Sequence, residues 1–189
     1  LWSYISFRSL LALILGLIIS MWFGEYFIKW MKRRNIGETA RDASIDPFGV
    51  KKIGVPSMGG IIIIIAIIVP LLFFARLNNI YLILMLITTI WLGTLGFADD
   101  YIKVVKKRNL GLRAYQKLLG QLGIALVTIL IGRHLLGHDT SVWVPVLGTS
   151  LDIGAWYYVL VVFVLVGTSN AVNLTDGLDG LAAGTVAVA

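Results

Sequence analysis

Apolar runs of about 20 residues recur along this chain, and a run of that length is what a helix needs to cross a hydrocarbon core of about 30 Å. They fall near residues 10–30, 57–75, 80–98, 118–136 and 155–172, and a sixth begins near Leu178 and continues to Ala189. The expected architecture is an all-α polytopic membrane protein with five transmembrane helices and the start of a sixth, in one transmembrane domain over residues 1–189. Composition agrees: 58% of residues are hydrophobic and 14% charged, against about 25% charged in an ordinary soluble domain. The first run is too long, and too lightly flanked on its N-terminal side, to read as a secretory signal. Because the chain begins at Leu and stops within an apolar run, an incomplete chain is expected.

The charge pattern orients these spans. A net charge of +6 would also suit a nucleic-acid binder, but its placement argues otherwise. Seven basic residues lie between Lys29 and Lys52 and six between Lys103 and Lys117, leaving only Arg8, Arg76 and Arg133 elsewhere. Thirteen of sixteen on alternate connections is the positive-inside pattern, which puts those connections in the cytoplasm and the N-terminus outside. The acidic ends at Asp99-Asp100 and Asp176–Asp179 are then expected on the same cytoplasmic side. No cysteine is present, which removes disulfides and thiolate metal sites.

Between the spans, Pro56 and the Gly59-Gly60 pair mark an irregular entry to the second apolar run, and Pro70 interrupts it further on. Residues 141–154 read as a small external β-hairpin, with Val142-Trp-Val-Pro-Val-Leu and Leu151-Asp-Ile as strands around Gly148-Thr-Ser. Pro145 would confine the first strand to an edge. No internal repeat is evident.

Polar residues inside or beside these runs are expensive, and so are functional suspects. Asn170, Asn173, Asp176 and Asp179 are spaced by three, which on a helix draws a stripe drifting by roughly 60° per step. Two amides and two acids exceed what a helix end requires for capping. Asp99-Asp100-Tyr-Ile-Lys103 closes the third run; a continuing helix places Lys103 beside both acids, with Lys107 one turn further. Alone, such a run also fits a solvated helix end with ordinary ion pairs. Together, acids and lysines on one membrane face suit a diphosphate bridged by a divalent cation, and oxygen ligands of this kind favour Mg²⁺. Lys52 and Ser57 flank the Pro-Ser-Met-Gly-Gly turn and fit either a polar ligand or an interfacial anchor and helix cap. His134 and His138 have metal-ligand spacing but lie at the outer end, and Glu25 lies close enough to the inner interface to be hydrated.

Pro56-Ser-Met-Gly-Gly60, Asp99-Asp-Tyr-Ile-Lys103 and Asn170-Ala-Val-Asn-Leu-Thr-Asp-Gly-Leu-Asp-Gly-Leu181 occur here in an order that resembles the polyprenyl-phosphate N-acetylhexosamine-1-phosphate transferases, glycosyltransferase family 4. Within that family the chain is similar to the branch acting on UDP-MurNAc-pentapeptide. The resemblance implies the N-terminal half of a ten-helix fold in the bacterial inner membrane, with its active site facing the cytoplasm. It implies transfer of phospho-MurNAc-pentapeptide to undecaprenyl phosphate, giving lipid I and UMP with Mg²⁺ required, and it is compatible with a homodimer. By motif, Asp99 would deprotonate the lipid phosphate, Asp100 would organise the same pocket, and Lys103, Lys107 and Lys117 would hold phosphates. Lys52, Gly177, Leu178 and Asp179 match the family's uridine pocket. Ser57, Asn173 and Asp176 match positions near the ribose, and Asn170 belongs to the same polar surface. Asn173 is also a metal ligand by analogy, while the main Mg²⁺ ligand and a His-rich motif are expected beyond Ala189. The 189-residue piece alone is therefore expected to be inactive.

Other classes fit less of the chain. A sister transferase moving GlcNAc-1-phosphate shares these motifs, since sugar selection is expected to reside in loops outside this sequence. An ion-coupled transporter would place its acids near the midplane and show an inverted repeat. A membrane scaffold explains the spans but not the paired acid and lysine clusters.

Overall fold

The computed structural model describes residues 1–34, 58–105, 111–135, 137, 139–175 and 181–188. Among these residues six helices follow in order: α1 (Ile5–Arg33), α2 (Gly60–Phe74), α3 (Ile80–Val105), α4 (Ala114–His134), α5 (Trp156–Thr175) and α6 (Leu181–Val188). A two-stranded sheet, β1 (Ser141–Val144) and β2 (Thr149–Asp152), lies between α4 and α5. The fold is all-α and polytopic, and among the described residues four helices (α1, α3, α4 and α5) are long and apolar enough to cross a membrane. Large apolar side chains such as Leu13, Trp22, Phe73 and Phe163 face outward, while Met31, Met58, Ile124 and Ala125 are the buried apolar residues among those described. In water such a surface would drive association; in a bilayer it is the ordinary lipid contact.

The second apolar run departs from expectation. Its helix covers 15 residues, about 22 Å, rather than the whole of 57–75. Ala75 is already extended, which stops the helix at Phe74, and Arg8 of α1 donates from Nη1 to the Phe74 carbonyl at 3.2 Å. The entry is irregular, as Pro56 and the glycines imply, yet the residue in the left-handed region is Met58 (φ 65°) and not Gly59 or Gly60. Carbonyls of Met58 and Gly59 accept from the amides of Ile61 and Ile62, so the unusual residue launches the helix.

The chain forms two compact units, Leu1–Lys117 and Leu118–Ala189. In the first, α1 lies along α2, where Gly16 permits a close approach. A Cβ added at Gly16 would stand 3.0 Å from the Ala66 carbonyl oxygen and 3.7 Å from Pro70 Cγ. Pro70 has no N–H, so that carbonyl lacks its usual intrahelical donor four residues on. The glycine face of α1 covers the place where α2 loses a rung. Small residues at such contacts are how membrane helices gain packing without a hydrophobic driving force.

α4 opens on half of a capping box: the Arg113 amide donates to Gln116 Oε1 at 3.0 Å. In the second unit the hairpin pairs Ser141 with Asp152 and Val144 with Thr149. The first strand is shorter than the sequence pattern implies, because Pro145 begins the turn instead of lying within an edge strand. Its fixed φ suits the second position of a turn closed by the Leu147 and Gly148 amides on the Val144 carbonyl, at 3.1 and 3.0 Å. Gly148 takes the left-handed conformation that follows, and Thr149 and Ser150 join the second strand. Asp152 anchors the return by accepting from the Thr140 hydroxyl and from the Gly154 amide. Both bonds favour the charged form, so the Asp152 carboxyl sits below its ordinary pKa.

Candidate active site

In the first unit the site grows from the last turns of α3. The helix continues through Asp99, Asp100 and Lys103, so the i,i+3 and i,i+4 spacing acts as the sequence implies. Lys103 Nζ lies 2.6 Å from Asp99 Oδ2 and 3.5 Å from Asp100 Oδ1. Asp99 is buried, with 6% of its surface exposed, whereas Asp100 is partly exposed. A buried carboxylate is costly unless its oxygens are satisfied. Lys103 satisfies one, and the Leu112 amide donates to Oδ1 at 2.9 Å and satisfies the other.

That second partner arrives from the connection to α4. Gly111 has φ 62°, and a Cβ built on it would stand 2.5 Å from Asp99 Oδ1 and 2.8 Å from Lys103 Cε. The backbone there presses on both the acid and the stem of the lysine. Sequence reasoning passed over Gly111 and Leu112; the one available signal was a glycine standing between polar residues and the start of an apolar run. Lys117 lies half-buried in the first turn of α4. Lys107 lies outside the described residues, as do Lys52, Ser57 and His138.

In the second unit, α5 carries Asn170 and Asn173 and ends at Thr175. Asn170 does something the sequence did not announce. Its Nδ2 donates to Gln121 Oε1 at 2.9 Å and to the Val166 carbonyl at 2.8 Å, committing both amide protons. Gln121 is 1% exposed and donates in turn from Nε2 to Ser169 Oγ at 3.1 Å. The three side chains tie α4 to α5, so of its amide group only the carbonyl oxygen of Asn170 can serve a substrate. Asn173 is exposed. Asp176, Gly177, Leu178 and Asp179 lie outside the described residues.

Elsewhere, Glu25 pairs with Lys29 one turn on, an ordinary surface pair on a helix. No group of three acidic or histidine side chains capable of holding a metal occurs among the described residues. Asn173, exposed on α5, offers a hard oxygen donor of the kind Mg²⁺ takes, and Mg²⁺ is usually bound by one or two protein groups with substrate phosphates and water supplying the rest, so its chemistry fits a partial shell.

Residues 82–189 match the family described as glycosyl transferase family 4. The chain is 45% identical to a phospho-N-acetylmuramoyl-pentapeptide-transferase of Phocaeicola vulgatus, over 98% of this chain and 54% of the relative. A protein of the same name from Bacteroides fragilis is 42% identical over 98% of this chain and 54% of its own length. One from Halalkalibacterium halodurans is 46% identical over 95% of this chain and 56% of its own length. The chain thus spans about half the length of the curated relatives it matches.

Proposed function

The chain belongs to glycosyl transferase family 4, and from that premise we propose that the full-length protein transfers phospho-MurNAc-pentapeptide from UDP-MurNAc-pentapeptide to undecaprenyl phosphate. The observation that carries this reading is the buried Asp99 at the end of a membrane helix, held by Lys103 and the Leu112 amide, in a chain similar to proteins named for that transfer.

An oxygen of the lipid phosphate attacks the β-phosphorus of the nucleotide. The new P–O bond forms as the bond from that phosphorus to the bridging oxygen breaks, and the bridging oxygen leaves with UMP. Asp99 takes the proton of the lipid phosphate. For that it must release a partner, and Lys103 is the partner with an alternative, because a substrate phosphate offers its ammonium stronger acceptors. Asp100 holds Lys103 from the other side during the exchange. Lys107 and Lys117 add phosphate contacts, and Lys52, Ser57, Asp176 and Gly177–Asp179 serve the nucleoside, by resemblance to the family. Mg²⁺, held in part by Asn173, would neutralise the diphosphate when bound. Such chemistry needs charge neutralisation and positioning more than a covalent intermediate.

The site belongs at the cytoplasmic face of the bacterial inner membrane, in keeping with the thirteen basic residues on alternate connections. There a soluble nucleotide meets a lipid whose head group is confined to the interface. A homodimer is part of the same proposal. The test is Mg²⁺-dependent UMP release by full-length protein with undecaprenyl phosphate, offering UDP-MurNAc-pentapeptide and UDP-GlcNAc side by side. Release with the muramoyl nucleotide alone, strongly reduced by Asp99→Asn, is expected. Release with UDP-GlcNAc alone would replace the substrate, and release with neither would overturn the transferase reading.

A further inference from the structure

We propose that Gly111 and the backbone N–H of Leu112 form a positioning element for Asp99, one that fixes Oδ2 as the oxygen offered to the lipid phosphate; this rests on the transferase reading above. The two oxygens of Asp99 have unlike partners. Oδ1 accepts from a main-chain amide 13 residues away, at 2.9 Å, whereas Oδ2 meets the mobile end of a lysine at 2.6 Å. A side chain can swing to a substrate phosphate; a main-chain amide just ahead of α4 has no such freedom. When Lys103 leaves, Oδ2 is exposed and Oδ1 stays held.

Gly111 makes this possible in two ways. Its φ of 62° turns the chain so that the next amide points at Asp99. Its missing side chain then lets the backbone lie against the carboxylate. A Cβ there would stand 2.5 Å from Oδ1, 3.0 Å from Asp99 Cγ and 2.8 Å from Lys103 Cε, so it would displace the acid and its lysine together. A displacement of about 1 Å at a reacting group can cost about 100-fold in rate.

The experiment measures kcat and KM for UDP-MurNAc-pentapeptide in the full-length protein carrying Gly111→Ala or Gly111→Asn, each with and without Asp99→Asn. Asparagine tolerates the left-handed region but carries the same Cβ, so it separates the clash from the backbone strain. Both variants are expected to lose about 100-fold in kcat with KM within about 3-fold of the parent. In the Asp99→Asn background the further loss should fall below about 3-fold, because residues acting through one another do not add. Multiplying losses, or wild-type kcat in Gly111→Asn, would overturn the positioning role and leave the transferase reading standing. Hydrogen exchange at the Leu112 amide gives a readout independent of turnover. It should accelerate in Asp99→Ala, and an unchanged rate would overturn the inference even in an active enzyme. Absence of UMP release from the unmodified protein would instead overturn the transferase reading, whatever Leu112 does.

Discussion

Asn170 donates to Gln121 Oε1 across 2.9 Å, joining residues 49 positions apart in two membrane helices. Removing one partner leaves the other unsatisfied in an apolar setting. Gln121→Leu should therefore weaken the protein by about 1 kcal/mol, in the range of measured interhelical hydrogen bonds in membranes. In a double-mutant cycle with Asn170→Ala, the coupling should account for most of that loss. Unfolding of the full-length protein in mixed detergent checks it; additive losses would mean that the two amides act separately.

Gly16→Leu should be far more damaging than its apolar chemistry implies. The new side chain meets the Ala66 carbonyl and Pro70 where even a Cβ is tight. Overpacking of this kind costs about 1–3 kcal/mol, and a change at the outward-facing Leu13 should cost much less. The same unfolding assay on both variants makes the comparison.

Lys103→Met removes the partner of a buried carboxylate while keeping the apolar stem. Asp99 keeps the Leu112 amide, so the cost in stability should be moderate, about 1–3 kcal/mol. Turnover should fall at least about 100-fold, since the variant loses the phosphate contact that Lys103 would make. Lys103→Arg tests geometry at constant charge; near-wild-type turnover there would show that charge alone suffices.

The hairpin should respond to acid. Because the Thr140 hydroxyl and the Gly154 amide lower the Asp152 pKa, its folded state favours the carboxylate. The stabilisation is fully present above the unfolded value of about 3.9 and is lost as pH falls through the lower folded value. Protection from hydrogen exchange in residues 140–154, taken relative to the intrinsic rate at each pH, should therefore be steady near neutrality and fall below about pH 4. Asp152→Asn should flatten that profile, and an unchanged profile in the variant would assign it to another group.

Much of this was legible in the sequence because it is local. Apolar runs give helices by length, and Asp99, Asp100 and Lys103 meet because one helix turn brings them together. The hairpin is also visible there, although Pro145 reads as part of an edge strand while its fixed φ places it at the second position of the turn. What escaped depends on contacts between distant segments. Nothing within the Asn170 stripe reveals that its amide protons go to α4, and nothing near Asp99 reveals that a glycine 12 positions on presses against it. Met58 is a further case: glycines beside it were the natural candidates for a left-handed residue, and the helix entry chose the methionine.

The contact between Gly16 and Ala66 also fixes how the first two helices can move. A slide of one turn in either direction would bring Ala12 or Ser20 over the Ala66 carbonyl, with a real Cβ at a spot that only a bare glycine face fills comfortably. Sliding between them is thereby opposed at mid-length, and at the start of α1 Arg8 grips the last carbonyl of α2, so the register of the pair is set at two separate points.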